Sequence, residues 1–421
     1  MGVSDMARFL FTTWEGGGHV QPLLMVAADL IARGHQVLAI SDIANAADAQ
    51  ALGVPFRPWT TAPFQAGKTR DDDRLRDFEA DNPMAVIERL LERVMTGPAG
   101  AYAHDVLEAL DAFPADVVVT QELLLGVMVA AQARGTKLAL LSANIWSLPN
   151  LAGAPPFGAG MAPAADDQEK TMHAMVAQMA RGLFQSGLPA LNAARAEHGL
   201  APLDDLFAQF DAADAILLAT SPAFDFASDP LPAPFVHVGP YLADPAWVEP
   251  ALLPEGDAPL VVVSFSSLYQ AQEKTLRNVI AALSALPVRA LVTTGPTLDP
   301  AEFAAPPHVK IVRSAPHGAV LKQAAAFVTH AGHGSTLRPL MAGVPLLCLP
   351  MGRDQNDNAM RAAHRGAAIT LSPDASPEKI GEALTRLLDD PAYAEAARAL
   401  GGKIASDAEG RHAAQALEAL V

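Results

Sequence analysis

The heptad His330-Ala331-Gly332-His333-Gly334-Ser335-Thr336 crowds two imidazoles, two glycines and two hydroxyls between the apolar run 324–329 and the stretch "LRPLMAGVPLLCLP". A strand that ends in such a turn and reopens as a helix leaves several backbone N–H groups unpaired. The helix adds about half a positive charge at that end. Gly332 and Gly334 let a ligand approach the main chain. Ser335 and Thr336 carry hydroxyl donors, and His330 a ring N–H. Together these make a phosphate cradle. No Lys-Ser/Thr pair follows, so it is not a P-loop. An imidazole with a helix dipole also partly neutralises a diphosphate without a metal. The plainer reading of the same residues is a tight turn with Ser335 as its helix cap.

Two further stretches in the same half weigh against the plainer reading. "SFSS" (264–267) follows another apolar run and ends on Ser267, whose hydroxyl would project from a facing strand end. "MGRDQNDNA" (351–359) follows the next strand, and Asp354 with Gln355 could bond adjacent hydroxyls of a sugar. Phosphate donors and a hydroxyl-reading pair on successive strand ends describe a nucleotide-sugar pocket. In the other half, "WEGGGHVQP" (14–22) puts His19 at a strand-to-helix turn with Pro22 just inside the helix, where proline is tolerated. No glycine sits where the dinucleotide fingerprint needs its third one, which leaves a ribose-binding role for Asp42 weak. As a general base, His19 needs a carboxylate to orient the ring and balance the imidazolium. Glu122, at the end of "ADVVVTQ", is placed to provide it. The alternative is that His19 only caps its turn.

The elements that must position these residues repeat twice. Apolar runs at 8–13, 35–41, 115–121 and 137–143 alternate with Ala/Leu-rich helical stretches, and the pattern restarts at 259–267, 288–295, 310–316, 324–332 and 344–351. Continuous apolar strands between helices predict parallel sheets covered on both faces. The fold class is α/β, with two doubly wound, Rossmann-like domains facing across a cleft and ligands at the C-terminal strand ends. Residues 1–227 form the N-terminal domain and 228–258, dense in proline, an interdomain linker. Residues 259–400 form the C-terminal domain, and 401–421 a terminal helix that needs a surface, with the N-terminal domain one candidate. Two long segments, 56–83 and 148–170, break the alternation as functional lids or linkers. Within the first, Asp71-Asp72-Asp73 reads as a solvated patch rather than a metal site.

Bulk composition narrows the classes. The 421 residues carry a net charge of −17, which repels nucleic acid and anionic lipid surfaces. One cysteine, Cys348, excludes an intrachain disulfide and reads as a small buried hydrophobe. Neither cysteine pairing nor histidine spacing suggests a structural metal. The N-terminus lacks the features of a secretion signal, and no apolar stretch reaches the length of a membrane span. The expected location is the cytoplasm, and nothing demands more than a monomer or weak homodimer.

From "FTTWEGGGHVQP" to "GRDQNDNAMR" the chain resembles the family 1 glycosyltransferases of the GT-B fold, the group of plant and bacterial natural-product glycosyltransferases. The resemblance is strongest over 310–361, where "HAGHGST...AGVPLLCLPMGRDQNDNA" matches the family's donor-binding stretch. It implies inverting transfer of a sugar, a hexose such as glucose, from a UDP- or dTDP-linked donor, with no cofactor and no metal. His19 then matches the base that deprotonates the acceptor hydroxyl, with Glu122 or, one residue earlier, Gln121 at the position of its partner. Ser267, His330, Gly334, Ser335 and Thr336 match the diphosphate site, His317 the nucleobase contact, and Asp354 with Gln355 the pair holding the sugar. The acceptor implied is an apolar small molecule (a phenol or flavonoid, a macrolide or similar), with Trp14, Trp59, Phe64 and Trp146 as its expected contacts. Three further positions depart from the pattern. Ser314 stands at a usual base-stacking tryptophan, Arg338 at a usual ribose-binding glutamate, and His333 at a usual bulky aromatic. The departures at Glu122 and Arg338 keep open a catalytically silent nucleotide-binding auxiliary protein of the same fold. A nucleotide-sugar epimerase shares the architecture.

Overall fold

The computed structural model describes residues 6–227, 230–244, 248 and 253–421. Its strands form two sheets in which every neighbouring pair is parallel. The first holds β1 (Arg8–Thr12), β2 (Gln36–Ser41), β3 (Phe56–Pro58), β4 (Val117–Thr120), β5 (Lys137–Ser142), β6 (Ala215–Leu218) and β7 (Phe235–His237), in the order β3-β2-β1-β4-β5-β6-β7. The second holds β8 (Leu260–Ser264), β9 (Arg289–Thr293), β10 (Val309–Val312), β11 (Ala324–Thr329), β12 (Leu346–Cys348) and β13 (Ala368–Thr370), in the order β10-β9-β8-β11-β12-β13. The order reverses between β1 and β4 in one sheet and between β8 and β11 in the other. Side chains leaving the C-terminal ends of those strands therefore border a crevice rather than a packed loop.

The strands are apolar throughout because helices cover both faces. "VVVT" of β4 and "LVVVS" of β8 are buried at every residue. The helix Val20–Ala32 buries Val20, Leu23, Leu24, Ala27 and Leu30, spaced three or four apart, against β1 and β2, and carries Pro22 in its first turn. Each sheet thus has a core on either side. One C-terminal core also takes in Ile145 and Phe224 from the N-terminal domain, so the interface between domains is partly apolar. Polar ties reinforce it: Arg361 pairs with Asp225 at 3.0 Å, both buried, and Thr220 Oγ1 lies 2.8 Å from His333 Nε2.

Two boundaries and one surface expectation differ from the sequence reading. The expected linker 228–258 contains β7, whose residues 235–237 pair with 216–218 as the last strand of the first sheet. A three-residue strand amid prolines has too short a period to be seen in the sequence. Residues 228–229, 245–247 and 249–252 of that linker lie outside the described residues. Residue 401 is not a boundary but the middle of the helix Pro391–Glu409, which stays on the C-terminal domain. A Cβ at Gly401 would lie 1.8 Å from Leu340 O, so only glycine permits that approach. The chain then crosses back. Val238 O accepts from His412 N–H, and the helix Ala413–Glu418 packs on Val20–Ala32, with Glu418 bonded to Arg33 at 2.6 Å. Finally, Asp73 is not solvated: it is buried and accepts from the N–H groups of Leu75 and Arg76, closing its turn.

Candidate active site in the interdomain cleft

The cleft between the two sheets is lined by the turns after β1, β8, β11 and β12 and holds about 380 Å³, the size of a small-molecule site. His19, Ser267, His317, His330, Gly332, Gly334, Ser335, Asp354 and Gln355 all line it. These sequence-expected residues, scattered over more than 300 positions, converge because the ends of β1, β8, β10, β11 and β12 meet there.

On the donor side, Gly332 caps the helix His333–Met341, and the chain reaches it through Ala331, held at φ 67°. The turn is fixed from within. Thr329 Oγ1 donates to Ser335 Oγ (2.9 Å) and accepts from Ala331 N–H (3.0 Å). Ser335 Oγ donates to Gly332 O (3.0 Å), and Asn358 Nδ2 to Ala331 O (3.1 Å). The first-turn N–H groups of 333–335 are left for a ligand. The His330 ring lies against Gly332, where a Cβ would come within 2.6 Å of its Nε2. At Gly334 a Cβ would meet only Leu242, at 3.8 Å, so the space before that amide is open.

Two expectations change here. Thr336 does not face the cleft; it is fully buried and its hydroxyl donates to Gly332 O (3.0 Å), because helical geometry returns it to the preceding turn. Ser335 Oγ, likewise, spends its proton on Gly332 O and contributes its backbone N–H instead. His330 is not a charge partner either. Burial, with Arg353 adding to it and a bond to the Ser264 backbone opposing it, pushes its pKa down to about 3, so the ring is held neutral. Burial similarly lowers His333 to about 3 and, with Arg338 nearby, His317 to about 4.

The pair expected to read the sugar, Asp354 and Gln355, is partly committed within the chain. Asp354 Oδ2 accepts from Asn358 Nδ2 (2.6 Å), leaving Oδ1 for a ligand. Gln355 is buried; its Oε1 accepts from Met351 N–H (2.7 Å) and its Nε2 donates to Gln270 Oε1 (2.9 Å), which holds Gln270 beside it on the cleft wall.

Across the cleft, His19 starts the helix Val20–Ala32 with Nδ1 sealed and without a hydrogen-bond partner, which leaves Nε2 as the nitrogen open to the cleft. Burial lowers its pKa; the charge of Asp354 opposes that shift and the charge of Arg353 adds to it. Glu122 does not orient the ring. Its Oε1 accepts from Ser142 Oγ (3.1 Å) and Ser147 Oγ (3.0 Å), it does not line the cleft, and burial raises its pKa. Gln121, the one-residue alternative, donates to Thr13 Oγ1 instead. The carboxylate whose field reaches His19 comes from the other domain, at Asp354.

The aromatic acceptor contacts are also corrected. Trp14, Trp59 and Trp146 sit in the N-terminal core, where their large apolar area is better satisfied than at a wet wall. Trp59 donates to Thr13 O and Trp146 to Asn150 Oδ1. Phe64 is exposed and lies outside the cleft. Sequence reasoning missed Arg353, Lys68 and Asp244, which line the cleft. Arg353 adjoins the Asp-Gln pair and was visible by adjacency. Lys68, bridging Glu15 (3.1 Å) and Asp48 (2.7 Å), comes from a loop with no periodicity to announce it. Asp244 pairs with Arg338 at 3.2 Å. Among the described residues, the group close enough to hold a metal is His104, Asp105 and Glu108, away from the cleft. There Asp105 already accepts from the N–H groups of Thr60, Thr61 and Ala62.

Comparison with known proteins fits this geometry. Residues 277–420 match the family described as erythromycin biosynthesis protein CIII-like, C-terminal domain. The chain is 27% identical to 4'-demethylrebeccamycin synthase of Lentzea aerocolonigenes, over 92% of this chain and 93% of that one. It is 27% identical to oleandomycin glycosyltransferase of Streptomyces antibioticus, over 96% and 88% respectively. The crystal structure of the glycotransferase of kitacinnamycin superposes with a TM-score of 0.75 at 22% identity, over 99% of both chains, and so shares the fold. The protein is a glycosyltransferase with two Rossmann-like domains in the GT-B arrangement. Within that class, its relatives and the matched C-terminal domain support a place among the family 1 enzymes of the bacterial natural-product type. No helix among the described residues is long and apolar enough to cross a membrane.

Proposed function

We propose that the protein transfers a hexose, with inversion, from a UDP- or dTDP-linked donor to a hydroxyl of an apolar small molecule, with His19 as the base and no metal. One observation carries the reading: a neutral imidazole on one wall of the cleft faces a helix N-terminus with free amides on the other. His19 Nε2 accepts the acceptor's proton as its oxygen bonds to the anomeric carbon. The bond from that carbon to the diphosphate breaks on the opposite face. The imidazolium so formed is balanced by Asp354, and the departing diphosphate by the N–H groups of 333–335, the helix dipole and the neutral His330 ring. Asp354 and Gln270 read the sugar hydroxyls, with Gln355 holding Gln270, while His317 borders the nucleobase. The reading includes a cytoplasmic monomer or weak dimer.

His19→Ala should lower transfer by about 10²–10⁴-fold, the usual contribution of a general base, and leave the affinity for UDP or dTDP within about twofold. Unchanged turnover to an oxygen acceptor would remove His19 from the mechanism. The unpartnered Nδ1 of His19 favours a second reading, the catalytically silent binding protein. Measurable diphosphate binding, with neither transfer nor donor hydrolysis across a panel of sugar nucleotides, would select it.

A further inference from the structure

Arg353 separates Gly352 from Asp354 in the turn after β12, and it holds a left-handed backbone, φ 55°, which a residue bearing a Cβ resists. Its guanidinium crosses the cleft to the N-terminal loop 59–82, where Nε lies 2.6 Å from Asp77 Oδ2 and Nη2 lies 3.0 Å from Asp77 Oδ1. The two side chains are 22% and 10% exposed, so the pair is little screened. A two-bonded arginine–carboxylate fork fixes direction as well as distance. The same loop has a second anchorage on the C-terminal domain: Phe78 packs edge-on against Tyr269 at 4.9 Å, and Arg70 lies over that ring at 4.5 Å.

Residue 353 is also the hinge of the sugar subsite. Beyond it Asp354 is tied to Asn358, and before it the Met351 N–H is tied to Gln355. With both flanks held, the backbone angles at 352 and 353 decide where Asp354 Oδ1 points. We propose that Arg353 is a positioning residue of the sugar subsite and that Asp77, reaching over from the acceptor-side loop, sets it. Docking of that loop and seating of the sugar are then one coupled event: the donor sugar is gripped fully only when loop 59–82 lies on the C-terminal domain. The inference rests on the reading of Asp354 as a sugar-hydroxyl acceptor.

The test compares a nucleoside diphosphate with its glucose conjugate. Dissociation constants for UDP, UDP-glucose, dTDP and dTDP-glucose are measured by calorimetry on the full chain and its variants, using whichever base binds more tightly. Asp77 does not line the cleft, so Asp77→Asn should weaken the sugar nucleotide by about fivefold or more, the usual lower scale of site coupling, while the bare diphosphate changes by less than about twofold. The exchange Arg353→Asp with Asp77→Arg should restore most of the loss, since aspartate tolerates the left-handed backbone and the fork is remade in reverse. A merely structural role would weaken both ligands together, and that result, or an unaltered sugar nucleotide in Asp77→Asn, would overturn the proposal. Asp354→Asn is the control. If it loses sugar affinity while Asp77→Asn does not, only the coupling fails; if it too leaves the sugar nucleotide unaltered, or if neither sugar nucleotide binds the native chain, the subsite reading falls and takes this one with it.

Discussion

The turns after β1 and after β11 each leave a strand at the reversal of its sheet and open a helix toward the same cleft, yet they differ in what completes them. The donor turn is closed on itself. Thr329, Ser335, Asn358 and the packing of His330 on Gly332 hold it before any ligand arrives. At the His19 turn the carboxylate whose charge reaches the ring lies on the opposite domain, at Asp354, and Nδ1 lacks a partner, as Nδ1 of His330 does in the donor turn. On the proposed reading, affinity is preorganised in one half, whereas reactivity is assembled only when the halves meet.

The sharpest way to break that comparison is to spoil the donor turn without touching His19. The backbone at Gly332, φ −60° and ψ 150°, admits any residue, so a side chain there fails only by collision with His330. Gly332→Val should lose UDP or dTDP affinity by about 100-fold, the scale of two good hydrogen bonds to a charged group. His19→Ala should not. Equal loss in both variants would mean that the turns are not specialised.

A smaller effect concerns acid. His330 and His333 are held neutral with pKa values of about 3, against about 6.5 in an unfolded chain. Between those values the unfolded state binds protons the folded state refuses, so stability falls as pH drops from 6.5 toward 3, by about 1.4 kcal/mol per pH unit for each such histidine. Asp357, raised to about 6 chiefly by burial, works in the opposite sense between its unfolded and folded values. His333→Asn should flatten the urea-unfolding profile below pH 6. An unchanged slope would show that His333 is protonated in the native protein.

The smallest effect is expected at Glu122. A carboxylate that orients a catalytic histidine costs about 10⁴-fold in rate when made an amide. Glu122 bonds two serines instead, so Glu122→Gln should cost less than about tenfold in turnover. A 10⁴-fold loss would return it to the catalytic pair and reverse the contrast drawn between the turns.

Legibility followed the same division. The buried strands β1, β4, β5, β8, β9 and β11 were plain in the sequence because helices cover both sheet faces. In contrast, β3, β7 and β13, of three residues each, and β6, of four, were not picked out; β12 and β4 are as short but sit inside longer apolar runs. The donor residues were legible because glycine, hydroxyl and imidazole at fixed offsets have few other uses. Thr336 was misjudged because sequence spacing does not reveal that a hydroxyl bonds the turn behind it. The tryptophans misled for a related reason: an aromatic in an irregular segment serves a core as readily as a ligand. Arg353 acts through Asp77, 276 positions away, and its pairing is a property of the closed fold alone.

The claim on which the rest depends is that the released diphosphate is gripped by the turn after β11. A crystal structure of the protein with UDP or dTDP tests it directly. The account predicts diphosphate oxygens about 2.7–3.1 Å from the backbone nitrogens within 333–335, with the His330 ring alongside. Diphosphate seated instead on Lys68, at the opposite wall, with the amides of 333–335 left to water, would contradict it.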